Sequence, residues 1–198
     1  MKQNNLLSKL HYNSPVVLTY AIICTVLLIL NYLTAGWMNT YLLASYGHAS
    51  LLDPLTYVRA ILHIAGHADW NHLFSNLILL LLVGPAVEER YGSGNLVIMI
   101  LCNAVITAVI HGVFFSTGII GASGVVFMMI ILSAFTNMQK GKIPITLILV
   151  SVMYLGRELF NAIVSPADGI SQLGHIIGGL VGLGFGIYYH NKKFKTSN

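Results

Sequence analysis

Residues 121–127 of the chain read GASGVVF and place a serine, Ser123, among small residues where an apolar helix is predicted to begin. Residues 174–186 read GHIIGGLVGLGFG and place a histidine, His175, near the start of a second apolar helix. If both helices enter a membrane from the same face, the two side chains lie at the same depth. A serine beside a histidine is the minimal set of groups for nucleophilic hydrolysis, and ionisable groups within a bilayer are costly and usually functional.

The composition indicates an integral membrane protein. Of the 198 residues, 56% are hydrophobic and only 8% are charged, whereas a soluble domain carries about 25% charged residues. The net charge is +4, and no feature of the sequence suggests nucleic-acid binding. Cys24 and Cys102 lie in apolar stretches, and we interpret them as small core residues and not as a disulfide or a metal site.

Six apolar stretches approach the length of about 20 residues that a transmembrane helix needs. We therefore predict an all-α membrane protein, one domain over residues 1–198 whose six helices form a bundle. The first outer loop is long and mixes aromatic and aliphatic with polar residues, so we expect it to lie partly in the membrane interface. The predicted spans are residues 16–34, 71–87, 95–115, 122–138, 144–164 and 171–189, followed by a basic cytoplasmic tail at residues 191–198.

The positions of lysine and arginine predict the orientation in the membrane, because cytoplasmic loops carry an excess of both. If both termini are cytoplasmic, that side holds eight of them: Lys2, Lys9, Arg90, Lys140, Lys142, Lys192, Lys193 and Lys195. Of the remaining two, Arg59 lies in an outer loop and Arg157 within the fifth span. We therefore predict a multi-pass protein of the plasma (inner) membrane with both termini in the cytoplasm. The second, fourth and sixth spans then begin at the outer face, where their polar residues form one layer.

The surroundings of Ser123 suit acyl-transfer chemistry. A loop that turns into a helix leaves free amides that can bind a developing oxyanion. The Gly-x-Ser-x-Gly elbow of soluble hydrolases is absent because residue 125 is valine. Taken alone, Gly-x-Ser-Gly is a weak signal and is more typical of close helix packing.

Glycines recur at every fourth position from residue 174 to residue 186, which predicts a stripe for very close helix packing. His175 lies at the edge of this stripe, so a packed neighbour would bring Ser123 within hydrogen-bond distance of its imidazole. The alternative is a histidine that binds a carbonyl across the helix interface.

His72 and Asn76 are spaced i, i+4 and share one helix face. Both side chains can donate to an oxyanion, although interhelical hydrogen bonds worth about 0.6–2 kcal/mol are the alternative. His63, His67 and His72 lack a carboxylate or cysteine to complete a metal site, and no His-Glu-x-x-His motif occurs. We therefore predict no metal and expect His67 to stabilise the loop.

Together these motifs resemble the rhomboid family of intramembrane serine proteases, in its bacterial six-helix form. The resemblance extends over nearly the whole chain, and the joint match is far more specific than any single motif. The motifs are His72-x-x-x-Asn76, Gly121-x-Ser123-Gly124 and His175-x-x-Gly178-x-x-x-Gly182, with the spacing of His63, His67 and His72 and the pair Glu88-x-Arg90.

The resemblance implies a serine endopeptidase that needs no cofactor, with Ser123 as nucleophile and His175 as general base. Asp168 precedes His175 by seven residues, in an outer loop, so we expect a dyad and not a triad. The resemblance further implies that His72, Asn76 and Gly121 stabilise the oxyanion.

Supporting roles follow from the same resemblance. Arg59, in a Val58-Arg59 pair where the family has Trp-Arg, is expected to brace the first loop. Phe127 stands where some bacterial members have a tyrosine stacked on the catalytic histidine. Glu88 and Arg90 are expected to tie the inner loop, and Gly178 and Gly182 to form the packing seam.

The implied substrates are membrane proteins whose transmembrane segment is destabilised as a helix and carries a small residue at the scissile bond. We expect a lateral opening beside the fifth span, where Arg157 and Glu158 line the cavity, tune the opening, or only pack and reach the interface. The main alternative is a catalytically silent rhomboid-like protein that binds membrane clients. A small transporter or channel is disfavoured, because no file of polar residues crosses the membrane.

Overall fold

The computed structural model describes residues 11–136, 138–139, 142–164 and 169–195. Three of its helices are long and apolar enough to cross a membrane, which confirms a helical membrane protein. The α-helices are α1 (Pro15–Leu33), α2 (Pro54–Leu62), α3 (Trp70–Tyr91), α4 (Ser93–Phe114), α5 (Ser123–Ala134), α6 (Ile145–Val164) and α7 (Gly169–Lys195). Among the described residues, the helices that meet both criteria of length and apolar composition are α1, α3 and α4, and α5 is a shorter apolar helix.

Helix α5 is the most enclosed element, and most of its side chains are buried, among them Val125, Met128, Met129 and Leu132. It packs against α3, α4, α6 and α7. A helix that is apolar on every side belongs in the interior of a bundle, whereas α1 exposes apolar side chains along one flank. The helix that begins with Ser123 is therefore the central one.

The packing seam predicted from the glycine spacing is confirmed between α5 and α7. A Cβ atom on Gly178 would overlap the carbonyl of Gly124, and one on Gly182 would lie 2.6 Å from the carbonyl oxygen of Met128. A Cβ atom on Gly186 would lie 2.5 Å from the ring of Phe135. The two helix backbones therefore touch at Gly178 and Gly182, and at Gly186 the backbone of α7 lies against the Phe135 ring.

The first loop contains ordered elements besides α2. A π-helical turn spans Met38–Leu43, a two-residue strand β1 spans Ser45–Tyr46, and a 3-10 turn spans His63–Ala65. Strand β1 pairs antiparallel with β2 (Gly118–Ile119), which lies just before Ser123. The all-α prediction thus omits a small ladder that joins the first loop to the segment leading into α5.

Arg59 on α2 holds this loop together. Its guanidinium donates to the carbonyl of Tyr41 over 2.6 and 3.1 Å and forms an ion pair with Asp53 at 3.4 Å. The guanidinium carbon lies 6.0 Å from the ring centre of Tyr46 in β1. Arg59 therefore connects α2, the π-helical turn and the ladder.

Glu88 lies in the last turn of α3 and binds both the turn that follows α3 and the start of α1. Its carboxylate accepts from the backbone amides of Val16 and Val17 at 3.0 Å and from the Ser93 hydroxyl at 2.7 Å. It thereby caps α1, whose own N-cap residue Ser14 makes no side-chain cap bond. Glu88 therefore connects the turn between the second and third predicted spans with the first span as well.

Candidate active site

Ser123 is the first residue of α5, and the chain reaches it through an unusual backbone turn. Gly121 has φ +135°, a conformation that favours glycine, and Ala122 caps the helix without a side-chain bond. The first amides of a helix have no acceptors within it. Ser123 is half-buried, so its hydroxyl and these amides lie together at the start of a buried helix.

The imidazole of His72 approaches Ser123 through the space left by the missing side chain of Gly121. The Cε1 and Nε2 atoms of His72 lie 2.9 Å from the point where a Cβ atom of Gly121 would stand. The Ser123 Oγ lies 3.8 Å from the same point. Gly121 therefore brings two predicted site residues to one small region, and a larger residue there would separate them.

His175 stacks on Phe127, with ring centres 4.2 Å apart and ring planes 5° from parallel. The stacking implied by the family resemblance is therefore present. Phe127 and Ser123 are spaced i, i+4 on α5 and share a face of that helix. The imidazole of His175 therefore lies along the face of α5 that carries the Ser123 hydroxyl.

Asn76 is one turn further along α3 than His72, and its side chain is 5% exposed. Within the part of the chain that the structure describes, its Nδ2 is a buried donor without a hydrogen-bond acceptor. Leaving a buried polar group unpaired costs about 1–3 kcal/mol. An unpaired donor one helical turn from His72 suits an acceptor that is present only during a reaction.

Residues in the segment that precedes α3 contact both the backbone and the ring of His72. The Asp69 carboxylate accepts from the His72 backbone amide at 2.8 Å, and the ring of His67 meets that of His72 edge-on at 5.0 Å. His67 is completely buried and donates from Nδ1 to the Ala65 carbonyl at 3.2 Å. Burial lowers the pKa of His67 to about 4, so this ring is neutral at neutral pH.

His63, to which the sequence assigned no role of its own, connects α4 with the segment before Ser123. Its Nε2 donates to the carbonyl of Ala104 at 3.1 Å, and its backbone carbonyl accepts from the amide of Gly121 at 2.9 Å. Burial lowers the pKa of His63 to about 4. Its spacing in the first loop was the one available signal, but spacing does not show which carbonyl a histidine binds.

The remaining predicted residues are not part of this cluster. Arg59 lies in the first loop and Glu88 lies 16 residues after His72, which is about 24 Å along α3. Arg90 is half-buried near Glu88. The described residues contain no group of three or more metal-ligating side chains that could hold an ion. Arg157, Glu158 and Asp168, considered for the lateral opening and the dyad, lie outside the residues whose side chains the structure describes.

The fold and this cluster define a class: a helical membrane protein with a serine at the start of α5 and histidines on the neighbouring helices α3 and α7. Residues 54–192 match the Rhomboid domain, and the chain belongs to the rhomboid family. The resemblance stated from the sequence is therefore confirmed.

Two curated relatives are similar to parts of the chain. The chain is 29% identical over 154 residues to Rhomboid protease GluP of Bacillus subtilis (strain 168), a match that covers 74% of this chain and 30% of that protein. It is 31% identical over 116 residues to Rhomboid-like protein 11, chloroplastic, of Arabidopsis thaliana, covering 57% of this chain and 40% of that protein. The chain thus spans less than half the length of either relative.

Proposed function

We propose that the protein is an intramembrane serine endopeptidase that uses Ser123 and His175 as a dyad. One observation carries the proposal. The His72 ring and the Ser123 hydroxyl approach the same point beside Gly121, while His175 stacks on Phe127 along the face of α5 that carries Ser123. The similarity to a relative named as a protease supports the same reaction class.

In this mechanism His175 takes the proton of the Ser123 hydroxyl as Oγ attacks the scissile carbonyl carbon. The carbonyl oxygen becomes negative and accepts hydrogen bonds from the Ser123 amide and from the side chains of His72 and Asn76. His175 then gives its proton to the leaving amine, and water hydrolyses the acyl-enzyme with His175 again as base. Loss of one oxyanion donor typically costs about 2.7–4 kcal/mol in the transition state.

The proposed substrates are transmembrane segments of other membrane proteins. A helix hides its carbonyls in its own hydrogen bonds, so a segment weakened by glycine or proline, with a small residue before the scissile bond, is the favoured substrate. Helix α5 has 12 residues, or about 18 Å of helix, whereas the hydrocarbon core is about 30 Å thick. The shortness of this helix supports a position of Ser123 below one membrane surface, within reach of a transmembrane substrate.

We further propose six membrane crossings in the plasma membrane, with both termini cytoplasmic and the site open to the outer side. The excess of lysine and arginine on the predicted cytoplasmic side supports this orientation. Substrate enters from the lipid bilayer, and water enters from the outer aqueous phase.

The test is cleavage of a synthetic single-span substrate by the purified protein in liposomes. The parent is compared with Ser123→Ala, His175→Ala and the control Ser133→Ala, which removes a hydroxyl on the same helix that donates to the Ile130 carbonyl. We expect cleavage by the parent and the control and none by the two dyad variants. Cleavage by Ser123→Ala would refute the dyad. Client binding without cleavage by any variant would indicate the silent rhomboid-like alternative.

A further inference from the structure

We propose that Asp69 is a positioning residue for His72, the histidine to which the proposed function assigns the oxyanion. This inference rests on that function and adds a residue to its machinery. Asp69 is the N-cap of α3, and its Oδ1 accepts from the backbone amide of His72 itself at 2.8 Å.

This cap restrains the turn from which the His72 side chain emerges. An N-cap carboxylate that binds the third amide of a helix limits the rotation of the first turn about the helix axis. His72 is that third residue, so Asp69 holds the peptide that carries the imidazole. The Asp69 side chain is exposed, and its removal therefore leaves no cavity in the core.

The other neighbours of His72 make small rotations of this turn important. On one side the His67 ring meets it edge-on at 5.0 Å. On the other side the His72 ring packs closely against the Gly121 backbone, because a Cβ atom on Gly121 would lie only 2.9 Å from the ring. A displacement of about 1 Å in a reacting site can cost about 10²-fold in rate, so a loosened turn should slow catalysis.

The turn that carries Asp69 is itself anchored to α1. The Asn39 side chain, in the π-helical turn, donates from Nδ2 to the carbonyl of His67 at 2.7 Å. The Asn39 backbone amide donates to the Asn31 side chain of α1 at 2.9 Å. The turn that carries Asp69 is thus fixed to α1, so Asp69 can hold His72 in a defined position.

Steady-state cleavage by the purified full chain in liposomes tests the proposal. Asp69→Ala removes the acceptor, whereas Asp69→Asn and Asp69→Ser keep one. The control is Asp53→Ala, because Asp53 is the N-cap of α2 and accepts from the Leu55 amide at 3.0 Å, on a helix that carries no residue of the proposed dyad or oxyanion site. Asp53 also pairs with Arg59, so this control removes more contacts than Asp69→Ala does.

We expect Asp69→Ala to lower kcat by about 10- to 100-fold with KM nearly unchanged, the pattern of a misplaced transition-state donor. Asp69→Asn and Asp69→Ser should return kcat to within about threefold of the parent, since both residues are good N-caps. Asp53→Ala should leave kcat within about twofold. Parental kcat in Asp69→Ala, a change confined to KM, or failure of both rescue variants would overturn the proposal.

A second variant separates positioning from folding. Glycine at an N-cap costs helix stability only a few tenths of a kcal/mol relative to the preferred residues, so Asp69→Gly keeps α3 intact and still removes the acceptor. We expect Asp69→Gly to lose kcat as Asp69→Ala does, and parental kcat in this folded variant would refute the role.

The proposed function and this inference can be tested separately, because the position of His72 can be measured without any cleavage activity. Ser123→Ala in the same assay shows whether the parent cleavage depends on Ser123, and absence of such cleavage counts against the function alone. The imidazole NMR signals of His72, assigned by their loss in His72→Gln, should shift in Asp69→Gly. Unchanged signals would overturn the positioning role whether or not the parent cleaves.

Discussion

The backbone of Gly178 on α7 lies against the carbonyl of Gly124 on α5, so no side-chain atom separates the two helices one residue after Ser123. His175 is one turn before Gly178 on α7. The distance between the helix of the serine and the helix of the histidine is therefore set by backbone contact. Because both residues at this contact are glycines, no change of side-chain rotamer can alter the distance between the two helices.

Gly178→Ala should destabilise the protein and displace the proposed dyad. Its Cβ atom would overlap the Gly124 carbonyl, and overpacking of this kind costs about 1–3 kcal/mol. The measurement is thermal unfolding together with kcat on the synthetic substrate. Gly184→Ala is the control, because a Cβ atom there has no neighbour within 4 Å. Equal melting temperatures for the two variants would show that the seam does not constrain α7.

Asn76→Ala should lower kcat far more than it raises KM, because in the proposed mechanism the unpaired Nδ2 donates only when the oxyanion forms. The expected loss is about 10²–10³-fold, typical of one oxyanion donor. Thermal unfolding should change little or improve, because the substitution also removes a buried donor that lacks an acceptor. A change in KM alone would assign Asn76 to substrate binding.

Glu88→Gln should destabilise the protein without altering catalysis by the folded molecules. The amide loses the negative charge that binds the Val16 and Val17 amides and the Ser93 hydroxyl, and hydrogen bonds to charged groups contribute about 1.5–3 kcal/mol. Unfolding by heat and by denaturant measures the effect. Glu89→Gln, at the exposed neighbouring position, is the matched control and should unfold as the parent does. Equal effects of the two substitutions would contradict the cap.

Acid should destabilise the protein through His63 and His67. Burial lowers the pKa of each to about 4, whereas a histidine in the unfolded chain titrates near about 6.5. Between these values the unfolded state binds more protons, so stability falls as the pH falls from 6.5 towards 4. The full loss is about 3 kcal/mol per histidine.

Thermal unfolding across this pH range checks the prediction. His67→Gln should flatten the dependence of the melting temperature on pH by roughly half of the histidine contribution, because one of the two buried groups is removed. His48→Asn replaces an exposed histidine of the same loop and should leave the dependence as in the parent. A parental slope in His67→Gln would show that this ring is not the titrating group.

Features that repeat along one helix could be predicted from the sequence. The glycine stripe on α7 follows a helical period, so the seam could be predicted from spacing, whereas the stack of Phe127 on His175 was implied by the resemblance to the rhomboid family. Helix ends were less certain. Helix α5 ends at Ala134 and not near residue 138, and α7 continues to Lys195. Apolar composition alone does not mark where a helix stops.

Contacts between distant parts of the chain could not be predicted from the sequence. Glu88 binds amides some 70 residues away, and no period connects a carboxylate on α3 with the first turn of α1. The Asp69 cap had a local signal, an acidic residue before an apolar helix, but its importance depends on the His72 side chain above it. The pairing of His63 with Gly121 joins two backbone groups, which leave no mark on side-chain spacing.

The two-strand ladder and the hydrogen bond from Gly121 to His63 mean that Ser123 can be transferred to another protein only together with the first loop. The residues that shape the turn before Ser123 come from the first loop, more than fifty positions earlier in the chain. A chimaera that receives α5 from a relative and keeps its own first loop would gain the proposed nucleophile without the loop residues that shape the turn before it. Exchange between family members should therefore succeed when the first loop and α5 are transferred as one unit.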